Sequence, residues 1–175
     1  MKKEDLSEKE GIQLVLDSYE DIFSDFDPRA HSEKALSDDF LQECKKAAVD
    51  KKDGLELKFL MSKRKRDKAL ELTIKKRLRA HFLRHFNIKK KDIGRIRKIG
   101  FMWFFIGVII SIISVYFLHE NTGFFLKFLS IMAEPASWFL FWEGLGKIFI
   151  EARKEMPDYG FYKKMVHAYI YFADY

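Results

Sequence analysis

One cysteine, Cys44, stands in 175 residues, so no disulfide can form within the chain, and a reducing compartment suits that usage. No apolar run follows the opening Met1-Lys2-Lys3-Glu4-Asp5, so no secretory signal peptide is expected. P-loop, dinucleotide fingerprint, nucleophile elbow and metalloprotease motif are all missing. No set of residues nominates a catalytic centre or a cofactor pocket, so the chain reads as a non-enzyme that needs no cofactor.

Charge is plentiful but sorted by position. Residues 1–50 carry 7 basic and 14 acidic side chains, 51–100 carry 19 and 5, and 101–175 carry 6 and 7. The overall +6 is therefore a sum of opposites, with the positive field in the middle block.

Residues 99–118 hold no charge, and about 20 apolar residues span a bilayer as a helix. Trp103 and Tyr116 stand toward its two ends, where interfacial aromatics sit. A buried core helix is the alternative, but little else in so short a chain could surround it. Residues 124–150 form a second apolar stretch interrupted by Lys127, Glu134, Pro135, Glu143 and Lys147. The short connection 119–123 makes the two stretches antiparallel neighbours. Lys89, Lys90, Lys91, Arg95, Arg97 and Lys98 precede the first stretch, the connection has no Lys or Arg, and Arg153 and Lys154 follow the second. This asymmetry places both termini in the cytoplasm, at the inner or plasma membrane of a cell.

At 100° per residue, Lys127, Glu134 and Trp138 share a face of the second stretch, with Ser130, Ser137 and Gly144 close to that stripe. Gly107, Ser111 and Ser114 make a similar stripe of small residues on the first. One expectation is that the stripes pack together and bury Glu134 against Lys127, serine or backbone groups. Another is that Glu134 lines a water-filled path in an oligomer. In a third, Glu134-Pro135 begins a new helix, since Pro suits a first helical position. Glu143 and Lys147 form an i,i+4 pair near the cytoplasmic boundary.

Outside the apolar stretches, Ile12, Val15, Leu16, Tyr19, Ile22, Phe23 and Phe26 predict an amphipathic helix over 7–26, opened by a Ser7–Glu10 capping box and ended at Asp27-Pro28. Residues 29–36 read as a loop. Ser37 caps a second helix carrying Phe40, Leu41, Cys44, Ala47 and Ala48. Leu55, Leu57, Phe59 and Met61 alternate as a half-buried strand. A third helix starts near Asp67, striped by Leu70, Ile74, Leu78, Phe82 and Phe86, with Asn87 and Gly94 as breaks before the first apolar stretch. Pro157 opens a short helix in an aromatic tail that packs on the cytoplasmic domain or lies at lipid headgroups.

A lone strand leaves its backbone groups unpaired. Either a further strand lies elsewhere in the chain, for which 29–36 is a candidate, or the strand Leu55–Met61 pairs with another copy of the chain, which argues for a homo-oligomer of closed symmetry. The acidic first block and the basic second block should also attract, within one chain or between neighbours. Lys63-Arg64-Lys65-Arg66 sits some thirty residues before a membrane stretch, so anionic lipid is a nearer partner than nucleic acid. His81 and His85, at i,i+4, have metal-ligand spacing but no third ligand nearby, so a solvated or stacked pair is expected, not a metal site.

The stretch Ala133-Glu134-Pro135-Ala136-Ser137-Trp138-Phe139-Leu140-Phe141-Trp142-Glu143-Gly144, with Leu36-Ser37-Asp38-Asp39-Phe40-Leu41, resembles an uncharacterised family of small two-span prokaryotic integral membrane proteins. The resemblance covers most of the chain, implies the same hairpin topology and brings no activity or functional residue with it.

The expected fold is a mostly α membrane protein: an acidic helix and loop (1–36), a cytoplasmic α/β part with a basic juxtamembrane helix (37–99), a transmembrane hairpin (100–150, spans about 100–118 and 124–150) and a cytoplasmic tail (151–175). Three roles remain open: a homo-oligomeric scaffold assembled through the α/β part, a pore or ion pathway lined by Glu134, and a membrane-anchored adaptor for an unknown protein partner.

Overall fold

The computed structural model describes residues 11–49, 51, 55–118 and 123–174. They form two units: one from the chain up to Asn87 and from Asp158 onward, the other Ile88–Pro157. The element order is β1 (Gly11–Val15), α1 (Asp38–Ala48), β2 (Glu56–Met61), α2 (Lys68–Ile113), α3 (Phe124–Gly146), α4 (Ala152–Lys154), α5 (Met156–Val166) and β3 (Tyr169–Asp174). The protein is mostly helical, with one small parallel sheet in the order β1-β2-β3.

The sheet corrects the helix expected over 7–26. Its described part is strand β1 and a single 3₁₀ turn, Tyr19–Ile22; the Ser7–Glu10 box lies outside the described residues. Ile12, Leu14 and Leu16 point inward at period two, and β2 supplies the hydrogen-bonding partner. Ser18 then caps the 3₁₀ turn, accepting from the Glu20 amide at 3.2 Å, while the Asp21 carboxylate accepts from the amides of Asp17 (2.7 Å) and Ser18 (2.9 Å). That local competition breaks any helical continuation.

The strand Leu55–Met61 is not unpartnered, and the inter-chain pairing expected of Leu55, Leu57, Phe59 and Met61 is overturned. β2 is the central strand, paired with β1 on one side and β3 on the other. The missing strand was not in 29–36, which contributes only a bridge between Phe23 and Leu36; it was in the aromatic tail. Ile12, Leu57 and Ile170 make one inward row, and Leu14, Phe59 and Phe172 the next. Against these rows pack Phe40 and Cys44 of α1, Ile74, Leu78 and Phe82 of α2, and Phe161 and Met165 of α5. The Phe59 and Phe172 rings lie 5.0 Å apart. The sheet therefore buries one face. Among the described residues nothing buries the outward rows Gly11/Glu56/Tyr169, Gln13/Lys58/Tyr171 and Val15/Leu60/Ala173.

α2 opens on Asp67, whose carboxylate accepts from the amides of Ala69 (2.8 Å) and Leu70 (3.3 Å). It then runs unbroken through Asn87 and Gly94 into the first apolar stretch. One glycine costs a helix about 1 kcal/mol, which its long flanks offset. Pro135 likewise lies inside α3 and starts no new helix. α2 and α3 are each long and apolar enough to cross a membrane.

Candidate functional site: the seam and cleft of the helical hairpin

Within the second unit, α2 and α3 meet along a seam of small residues. Gly100 and Gly107 on α2, and Ser137 and Gly144 on α3, are buried. A Cβ built on Gly107 would lie 2.8 Å from the Ser137 carbonyl oxygen, and one on Gly100 would lie 2.8 Å from that of Gly144. Such backbone approach is open only to small side chains. Gly100, Gly107 and Ser114 recur every seventh residue, as do Ser130, Ser137 and Gly144. A seven-residue repeat keeps one face of a helix turned to its neighbour. The structure thus brings together Gly107 and Ser137, as expected, and adds Gly100, whose signal was the spacing. Beyond Gly144 the π-helical turn Lys147–Glu151 delays the next buried position to Ala152. Next to it, Lys89 pairs with Glu155 at 2.7 Å.

Where the seam leaves Gly107, the helices part around two adjoining clefts. One, of about 300 Å³, is lined by Gly107, Val108, Ser111, Ile112, Ser137, Trp138 and Phe141. The other, of about 330 Å³, is lined by Ser111, Ser114, Val115, Ser130, Ile131, Glu134, Ser137 and Trp138. The Ser137 hydroxyl donates to the Glu134 carbonyl oxygen at 2.8 Å. The Glu134 carboxylate is not buried against Lys127; both side chains are exposed on the hairpin, and neither has an ion-pair partner among the described residues. Lys127 stands outside both clefts. Glu143 and Lys147 do pair, at 3.2 Å, and Glu151 extends them to a ladder at 3.1 Å from Lys147.

The basic positions divide. Lys63 and Arg64 are exposed. Lys65 donates to the Asp17 carbonyl oxygen at 2.9 Å. Arg66, expected at a lipid surface, is instead a structural residue. Its guanidinium grips the buried Glu71 carboxylate at 2.7 and 3.0 Å, and reaches Asp174 at 2.5 Å and the Phe172 carbonyl oxygen at 3.3 Å. A buried carboxylate needs such a counter-charge, and the planar fork of arginine suits it. Lys90, Lys91, Arg95, Arg97 and Lys98 all stay exposed on α2. Among the described residues of the acidic first block, Glu20 pairs with Lys34 and His31, and Asp27 with Arg29, all within that block.

His81 and His85 stack, their ring centroids 4.2 Å apart, with Tyr162 on His85 at 5.2 Å. Burial, then the neighbouring charges of His85, Arg77 and Arg84, depress the His81 pKa to about 4. Among the described residues no group of three His, Cys, Asp or Glu side chains gathers as a metal site.

Comparison with protein-family models, curated proteins and solved structures finds no match to this chain.

Proposed function

We propose that this is an integral membrane scaffold: α2 and α3 cross the bilayer as a hairpin and hold the α/β unit at the cytoplasmic surface, where copies assemble. The observation that carries the membrane half is the pairing of β3 with β2. Chain entering the hairpin and chain leaving it close into one sheet. Any insertion of the intervening segment must therefore cross the bilayer an even number of times. Two helices are long and apolar enough to do so, and only 11% and 6% of their most apolar windows are buried by the rest of the chain. A core helix of a water-soluble protein would be mostly buried; so much bare apolar surface calls for lipid. The exposed cluster Lys90, Lys91, Arg95, Arg97 and Lys98 supports cytoplasmic flanks and contact with anionic lipid headgroups.

The scaffold half no longer rests on β2. It rests on the outward face of the sheet, because all-parallel sheets are ordinarily covered on both faces. Val15, Leu60, Tyr169 and Tyr171 are apolar or aromatic positions on that face, and Val15 and Leu60 lie side by side on it. Light scattering of the detergent-solubilised protein should give a multiple of the chain mass that drops on Leu60→Asp with Val15→Asp, while circular dichroism stays unchanged. A monomer in the unsubstituted protein removes the scaffold reading.

An ion pathway is the second reading, favoured by one observation: a carboxylate, Glu134, on a serine-lined cleft within an apolar helix. Glu134→Gln in reconstituted vesicles should then change ion flux, and the absence of flux in the unsubstituted protein would end that reading.

A further inference from the structure

The cleft between α2 and α3 has a chemistry of its own. Four serines, Ser111, Ser114, Ser130 and Ser137, line it together with Glu134. Both helices contribute, so the arrangement exists only in the folded hairpin. Ser137 is 5% exposed, and its one hydroxyl proton is committed to the Glu134 carbonyl oxygen. A hydroxyl that has given its proton away can offer only lone pairs to a further partner. The buried wall of the cleft is thus an acceptor, and the carboxylate beside it is an acceptor when ionised. A cleft lined by serines and a carboxylate residue offers hard oxygen donors of the kind that suit a hard cation. One carboxylate balances one positive charge, whereas a divalent ion would leave a net charge in hydrocarbon.

The geometry points to a monovalent metal cation site in this cleft, with Glu134 as the charge partner and the serine hydroxyls as neutral oxygen ligands. The inference rests on the membrane reading above, because only in a low-dielectric setting is the carboxylate short of a partner. Bound cation would give the Glu134 side chain a counter-charge and would tie α2 to α3 where the glycine seam ends.

Trp138 lines the same cleft and supplies a reporter. The full chain carrying Trp103→Phe and Trp142→Phe is reconstituted into vesicles with and without brominated acyl chains. Quenching by the brominated chains reports insertion. Trp138 emission is then titrated with NaCl, KCl and LiCl against choline chloride at equal ionic strength and fixed pH. The expected result is quenching together with a saturable emission change for at least one metal cation and none for choline. Ser137→Ala should raise the midpoint several-fold, Glu134→Asp should keep a weaker response, and Glu134→Gln should abolish it while quenching persists. Quenching with identical emission in metal and choline salts overturns the cation site and leaves the membrane reading intact. So does a response to pH alone, or one that survives Glu134→Gln. Absence of quenching overturns the membrane reading, and the site with it.

Discussion

Gly144 and Gly100 face each other so closely that a Cβ built on Gly144 would lie 2.6 Å from the Gly100 carbonyl oxygen. The obstructing atom is backbone, so neither helix can yield by turning a side chain. Gly144→Val should therefore force α2 and α3 apart, at a cost of roughly 1–3 kcal/mol of overpacking strain. Gly94 is the control, since nothing lies within 4 Å of its would-be Cβ. Gly94→Ala should be neutral or stabilise by about 0.5–1 kcal/mol. Thermal unfolding of the two variants in one detergent checks this, with a lower midpoint expected for Gly144→Val and an unchanged or higher one for Gly94→Ala.

Arg66 and Glu71 hold the end of β3 to the start of α2. Glu71 is 4% exposed, so Arg66→Met leaves a buried carboxylate without its counter-charge. The expected loss is about 3–5 kcal/mol. Adding Glu71→Leu should recover much of it, because two apolar groups of similar volume leave no charge stranded. Asp174, the half-exposed third member, should matter little, within about 1 kcal/mol. Urea unfolding of Arg66→Met, of the Arg66→Met/Glu71→Leu double variant and of Asp174→Asn separates these contributions.

His81 makes stability depend on pH in a definite window. In the unfolded chain its imidazole takes up a proton near 6.5; in the folded chain burial delays that to about 4. Between those values the unfolded state binds more protons, so stability is full above about pH 6.5 and declines as the pH falls toward 4. His81→Phe should flatten the urea midpoint across that window. Below it the carboxylates of Glu20, held down chiefly by Lys34, and Asp27, held down chiefly by Arg29, take over. Their stabilising contribution is present above the usual carboxylate range and disappears as they protonate.

How much of this was legible beforehand follows from how far each signal reaches along the chain. Leu55–Met61 alternates except at Leu60, and its strand character is local. Ile12–Leu16 alternates too, but Ile12, Leu16 and Tyr19 also fit a helical turn, and only the distant β2 decides between them. Parallel partners are the least visible of all, since β2 and β3 are separated by the whole hairpin. The tail Tyr169–Asp174 therefore read as a surface for packing or lipid, though its aromatic run is strand-like. In the candidate site the small-residue stripes were legible from composition. Which member of one stripe opposes which member of the other was not, and Gly100 escaped notice because it stands at the edge of the apolar stretch. Arg66 looked like its basic neighbours because nothing local distinguishes an arginine that will find a buried glutamate.

Cys44 is buried completely, and burial pushes its thiol up to about 12. Thiolate is the reactive species, so the folded protein should resist maleimide at neutral pH. Labelling in increasing urea, followed by mass spectrometry, should track unfolding of the α/β unit and lag behind labelling of any exposed thiol.

That silence of Cys44 permits the measurement that bears most directly on the membrane hairpin. Gly123, at the start of α3, has nothing within 4 Å of a would-be Cβ, and Asp25 is exposed in the α/β unit. Gly123→Cys and Asp25→Cys, introduced separately, are probed with a membrane-impermeant maleimide in intact cells and after permeabilisation. A hairpin with cytoplasmic flanks predicts that Gly123→Cys labels in intact cells, whereas Asp25→Cys labels only once the membrane is opened. Equal labelling of the two positions only after permeabilisation would place both on one side of the membrane and contradict the crossing.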